Sequence, residues 1–126
     1  MKIEFTVPAV PVAQPRAKAT VRGGFARVYN DSKHPVNDFK ASVRMAFRGE
    51  FAGPPLHGPL AVRLVFVFPR ASNKFWKSKA MPRYVKETKP DIDNLAKSVL
   101  DSLNKIAFQD DGQVATMLIT KCHAAG

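Results

Sequence analysis

Cysteine is almost absent: Cys122 is the only one in 126 residues. No disulfide can form within the chain and a four-thiolate zinc site is excluded, which leaves the thiol as a small core residue suited to a reducing compartment. Histidine is scarce too. His34, His57 and His123 lack ligand spacing, and the first two sit beside proline or glycine in expected loops, so a structural or solvent role is expected for each. No run approaches the ~20 apolar residues that cross a bilayer, and MKIEFTVPAV puts Glu4 and Pro8 where a signal peptide needs a plain apolar stretch. A cytoplasmic protein with no membrane partner is expected. Acids are few as well: 10 Asp and Glu stand against 20 Lys and Arg, a net charge of +10. On so small a domain that field attracts polyanions, of which nucleic acid is the commonest; the plainer alternative is a merely soluble surface.

What is present is enough for one core. With 45% apolar residues and no repeats, residues 1–126 are expected to form a single α+β domain, a mixed sheet of about four strands packed by two main helices. KIEFTV alternates like a half-buried strand that Pro8 and Pro11 end, and residues 9–30 read as a basic loop or loose hairpin around Gly23-Gly24. Val36, Phe39, Val43, Ala46 and Phe47 mark one face of a helix closed by Gly53-Pro54-Pro55. PLAVRLVFVF, Pro59 to Phe68, suits a central strand. Ile92, Leu95, Ala96, Val99, Leu100 and Leu103 form a second helical stripe, followed by a short extended IAF, a QDDGQ turn and a last strand, VATMLITKCH.

The acids are unevenly placed. Asp91, Asp93, Asp101, Asp110 and Asp111, five of the ten, lie within 21 residues that hold only two cations, Lys97 and Lys105. An acidic pocket there has a physical use: a nuclease that grips a polyanion over a wide surface still needs carboxylates at the scissile phosphate to hold Mg²⁺, because hard divalent cations prefer oxygen ligands. Asp91 follows Pro90 and stands where the chain enters the helix. If it is still extended, it can turn to the same side as Asp93; inside a continuous helix the two would diverge by about 200°. Lys97, four residues after Asp93, shares its face and is placed to offset charge on a metal-bound phosphate, or to make an ordinary salt bridge worth about 0.3–0.5 kcal/mol. The local alternatives are equally concrete: Asp91 as a helix cap, and Asp110-Asp111-Gly112 as a plain turn.

KPDIDNLAKSVLDSLN followed by IAFQDDGQV, residues 89–114, resembles the signature of RusA-type Holliday junction resolvases, a PDxDN-x2-K helix leading to a DDxQV turn. The resemblance implies a homodimeric endonuclease, common in phages and prophages, that uses one or two Mg²⁺ per active site and resolves four-way DNA junctions by paired symmetric nicks. Carried over by position, it implies metal-ligand roles for Asp91, Asp93 and Asp111, a catalytic role for Lys97 and an accessory one for Asp110, with Asp111 reaching the others from its turn. Asp101 falls outside the site. The family typically continues past the DDxQV strand with a further strand, whereas this sequence stops at His123-Ala124-Ala125-Gly126: either that strand is dispensable here or the chain is cut short, and the open edge is one that the dimer partner covers or that weakens the fold.

Two basic segments are the candidate DNA contacts. Residues 70–89 carry seven Lys or Arg against Glu87 alone, and Lys74, Lys77, Lys79, Arg83, Lys86 and Lys89 are placed to track phosphates. Trp76 is either a base-stacking residue or an anchor that fastens the loop to the domain. Arg16, Lys18, Arg22 and Arg27 form a second strip, whose alternative is a solvated hairpin. Two rival functions share these features: a nuclease of the same fold acting on flaps or other branched DNA, and a non-catalytic basic DNA-binding module whose acids only cap and turn.

Overall fold

The computed structural model describes residues 1–15, 18–22, 25–29, 34–69 and 84–124. Its elements are strands β1 (Lys18–Arg22) and β2 (Phe25–Tyr29), helix α1 (Val36–Glu50), strands β3 (Leu60–Phe68) and β4 (Tyr84–Val85), helix α2 (Ile92–Leu103), a single turn of 3-10 helix at Asp111–Gln113, and strand β5 (Val114–His123). Of the two alternatives for the basic segment, loop or hairpin, β1 and β2 form an antiparallel hairpin, with Lys18 opposite Tyr29 and Arg22 opposite Phe25. β5 is central in a second sheet, parallel to β3 and antiparallel to β4. Among the described residues that sheet has three strands, not four, and the third is only two residues long.

KIEFTV is where the strand count differs. Ile3, Phe5 and Val7 are half-buried against the core and their neighbours exposed, as the alternation predicts, yet the segment joins no described ladder. Alternating burial needs only an apolar surface on one side; a strand also needs a partner for its backbone. Phe5 lies edge-on to Phe47 of α1 at 5.8 Å between ring centroids. Glu4 is held below the usual carboxylate range chiefly by the Lys2 ammonium 2.9 Å away, with a smaller contribution from Arg63 of β3.

One core joins both helices to the sheet. α1 contributes Phe39, Val43 and Phe47, β3 contributes Phe66 and Phe68, and α2 contributes Leu95, Val99 and Leu103. The first turn of α1 is entered through His34, whose Nδ1 accepts from the Val36 N–H at 3.1 Å. On α2 the buried face is rotated from the predicted stripe. Ile92 is 40% exposed and Leu100 half-buried, while Ser98 and Ser102 are fully buried. Each serine hydroxyl donates to the carbonyl three residues back, Leu95 at 2.7 Å and Val99 at 2.6 Å, which satisfies it internally and lets a small polar residue occupy a core position. Cys122 is buried, as expected of a core thiol.

After α2 the chain turns sharply. IAF is not an extended piece: residues 105–107 form a turn with Lys105 at φ 67°, and Phe108 makes isolated bridges to Leu56 and Asn104. Ala107 and Phe108 are buried, so the apolar run marks core rather than strand. No helix of the described residues is long and apolar enough to cross a membrane.

Candidate active site

α2 presents its first turn rigidly because its core face fixes its rotation. With Leu95, Ala96, Ser98, Val99, Ser102 and Leu103 all buried, Asp91, Asp93 and Lys97 are left exposed on the other side. Asp91 is the N-cap residue by position and is extended, with φ −69° and ψ 143°, the conformation that lets it share a side with Asp93. Its carbonyl accepts from the Leu95 N–H at 3.1 Å, but its side chain makes no capping hydrogen bond. Neither carboxylate takes part in an ion pair among the described residues.

The approach to Asp91 is held from two other parts of the chain. The Lys121 ammonium of β5 donates to the carbonyls of Thr88 and Pro90, both at 2.8 Å, and the Lys86 N–H donates to the Lys121 carbonyl at 3.0 Å. On the helix side, the Gln14 N–H donates to the Asn94 carbonyl at 2.9 Å. Gln14 Oε1 is buried with no hydrogen-bond partner, an acceptor left over beside the helix entrance. Neither Lys121 nor Gln14 carries a motif signal; a lysine in an otherwise apolar-alternating strand was the one available clue.

Asp110 and Asp111 sit in a different local frame. Asp110 caps the 3-10 turn, its Oδ2 accepting from the Gly112 N–H at 3.0 Å. Gln113 completes a capping box: its Oε1 accepts from the N–H groups of Gln109 (2.8 Å) and Asp110 (3.0 Å). Its Nε2 donates to the carbonyls of Leu56 and Gly58, both at 3.0 Å, and Gly58 has φ 79°, a backbone region that favours glycine. The Gln113 amide thus closes the turn through Oε1 and holds it to the segment before β3 through Nε2. Asp111, one residue inside the turn, is exposed.

The two carboxylate groups lie at opposite ends of the same layer. Lys121, which holds Pro90, pairs with Phe66 near the end of β3, whereas Gln113 reaches Leu56 and Gly58 just before β3 begins. α2 spans the interval: its 12 residues cover about 18 Å at 1.5 Å per residue. Asp111 therefore does not reach Asp91 and Asp93 from its turn within one chain, which corrects that expectation. Consistently, no three His, Cys, Asp or Glu among the described residues are grouped to hold a metal ion. Asp91 and Asp93 by themselves still suit Mg²⁺, which is commonly held by one or two carboxylates with the rest of its shell left to water and phosphate oxygens. Asp101 pairs with Lys40 of α1 at 4.0 Å.

The DNA-contact candidates divide. Arg16, Lys74, Trp76, Lys77, Lys79 and Arg83 lie outside the described residues. Lys18 and Arg22 stand at the two ends of β1, and Arg27 lies opposite Thr20 in β2. Lys89 is exposed. Lys86 is already engaged, its ammonium 3.0 Å from Thr88 Oγ1 and 5.1 Å from the centre of the Phe68 ring.

Comparison with known proteins gives two matches. The endodeoxyribonuclease RusA family model matches residues 8–125. A Bacillus subtilis (strain 168) protein described as uncharacterized, YqaN, is 31% identical over 127 residues, covering 97% of this chain and 88% of that protein. No solved structure matches.

Proposed function

The chain belongs to the RusA endodeoxyribonuclease family, and from that premise we propose that it is a Mg²⁺-dependent nuclease that resolves four-way DNA junctions as a homodimer, by symmetric paired nicks. The observation that carries the chemistry is the entrance of α2, where two exposed carboxylates, without ion-pair partners among the described residues, are presented beside Lys97 on a helix locked by its core face.

Asp91 and Asp93 are the residues that would hold the divalent ion. When bound, such an ion activates water and neutralises charge on the scissile phosphate. Water adds to phosphorus in line, the bond to the 3′ oxygen breaks, and the products are a 5′-phosphate and a 3′-hydroxyl. Lys97, one helical turn from Asp93, stabilises charge on the phosphoryl oxygens in the transition state. The basic segments 9–30 and 70–89 supply the surface that tracks the DNA backbone.

A third carboxylate enters through dimer symmetry. A junction has two equivalent strands to cut, and a two-fold dimer matches it. A two-fold axis across the middle of the α2 and β5 layer exchanges the layer's ends, so Asp111 of the partner subunit completes the site of Asp91 and Asp93. Each of two sites then draws on both protomers.

Mixing variants tests function and arrangement together. Asp91→Asn and Asp111→Asn homodimers should each fail to nick a synthetic junction in Mg²⁺. Co-refolded in equal amounts, they should regain about a quarter of wild-type nicking, since half the dimers are mixed and each mixed dimer has one intact site. Mixed dimers as inactive as the parents would mean that each site takes all its aspartates from one protomer, and the shared-site arrangement would fall. Wild-type protein that cuts forks and flaps as fast as junctions would make it a general branched-DNA nuclease, and binding without Mg²⁺-dependent cutting would make it a non-catalytic module.

A further inference from the structure

We infer that Lys121 is a positioning residue of the catalytic centre, fixing the backbone that delivers Asp91. The inference rests on the reading of Asp91 as a metal ligand.

The argument starts from where the lysine lies. Along β5, Met117, Ile119 and Lys121 are half-buried while Thr116, Leu118 and Thr120 between them are exposed, and Ile119 packs against the core. Lys121 therefore continues the inward row of the strand. A lysine there is costly unless its ammonium finds partners. It finds two, the Thr88 and Pro90 carbonyls at 2.8 Å each, both charge-assisted bonds of short length.

Those carbonyls belong to residues 88–90, which have no helix or strand of their own to fix them. Lys86 closes the loop from the other side, its N–H donating to the Lys121 carbonyl and its ammonium to Thr88 Oγ1. One strand residue thus ties down both ends of the approach, through its backbone carbonyl and through its side chain. Asp91 comes next in the chain, and no side-chain capping bond holds it. Its carboxylate is located by its backbone, so what fixes Pro90 fixes the ligand. Metal ligands tolerate displacements of only about 0.5 Å before binding suffers.

Lys121→Met keeps most of the stem and removes the donors; Lys121→Arg keeps donors. Four readouts apply to the full-length dimer: Mn²⁺ affinity by titration calorimetry without DNA, exchange of the Leu95 amide that donates to the Asp91 carbonyl, junction affinity in EDTA, and junction nicking. For Lys121→Met we expect Mn²⁺ affinity to fall about tenfold or more, in the range typical of lost supporting contacts at metal sites, with a matching fall in kcat. Leu95 exchange should quicken, junction affinity in EDTA and KM should stay within about twofold, and Lys121→Arg should recover most of the loss. Unchanged Mn²⁺ affinity and Leu95 exchange in Lys121→Met would overturn the inference. So would an equal loss of junction affinity in EDTA, which would make Lys121 a DNA contact. If the wild-type protein nicks no DNA, the functional reading fails separately, and the exchange result still decides whether Lys121 holds Asp91.

Discussion

The two ends of the α2 and β5 layer use aspartate differently. At each, an extended aspartate precedes a helical turn: Asp91 before α2, Asp110 before the 3-10 turn. Asp110 spends its carboxylate locally, on the Gly112 N–H, within a capping box that Gln113 completes and anchors to Leu56 and Gly58. Asp91 makes no side-chain capping bond; its backbone is held instead by distant residues, with Lys121 gripping the segment before it. The same residue type in the same local position is therefore a structural cap at one end and, among the described residues, a carboxylate with no capping bond and no ion pair at the other. An idle carboxylate on a rigid frame is what a metal site requires, and it exists only because other parts of the chain do the holding.

Lys97→Ala gives the largest expected break in that contrast. It should lower kcat for junction nicking by about 10²–10³-fold, the cost of losing one preorganised charge-stabilising donor, and leave the melting temperature near wild type because the side chain is exposed. A steady-state assay beside a thermal melt reads both; near-normal kcat would remove Lys97 from the chemistry. Gln113→Ala attacks the other end. It deletes four hydrogen bonds at once and should destabilise the protein by about 2–3 kcal/mol at roughly 0.5–1.5 kcal/mol per bond, discounted for solvent, as measured by urea unfolding. The smallest effect is the sharpest test. Asp110→Ala should cost about 1 kcal/mol as a lost cap, whereas Asp91→Ala should cost no more than about 0.5 kcal/mol, from the helix dipole alone. Equal costs would mean that the two aspartates serve their helices alike.

Much of the fold was legible where local periodicity and burial coincide. The 3.6-residue spacing of Val36, Phe39, Val43 and Phe47 and the β-rich runs of β3 and β5 correspond to observed elements. Pattern misled where it reports burial without backbone pairing. Ile3, Phe5 and Val7 alternate because one side faces the core, and Ala107 and Phe108 are apolar because a turn is buried. On α2, Ser98 and Ser102 were invisible as core residues because hydropathy counts a hydroxyl as polar whether or not a carbonyl three residues back accepts its proton. The supporting roles at the site were illegible for a related reason: Lys121, which stands outside any motif, and Gln113, which the DDxQV motif includes without giving it a role, act through hydrogen bonds that span 31 to 57 positions.

By itself the sequence determined that Asp91, Asp93 and Lys97 gather at one helix start, because residues within a turn of each other are neighbours whatever the fold does. It also determined the basic character that suits the chain to DNA. Only the tertiary structure decided that Asp111 stands at the far end of α2 and that a lysine from β5 sets the path into Asp91. Twelve helical residues carry the chain about 18 Å before it turns, and the side of the sheet to which it returns is fixed by core packing, which no local spacing encodes.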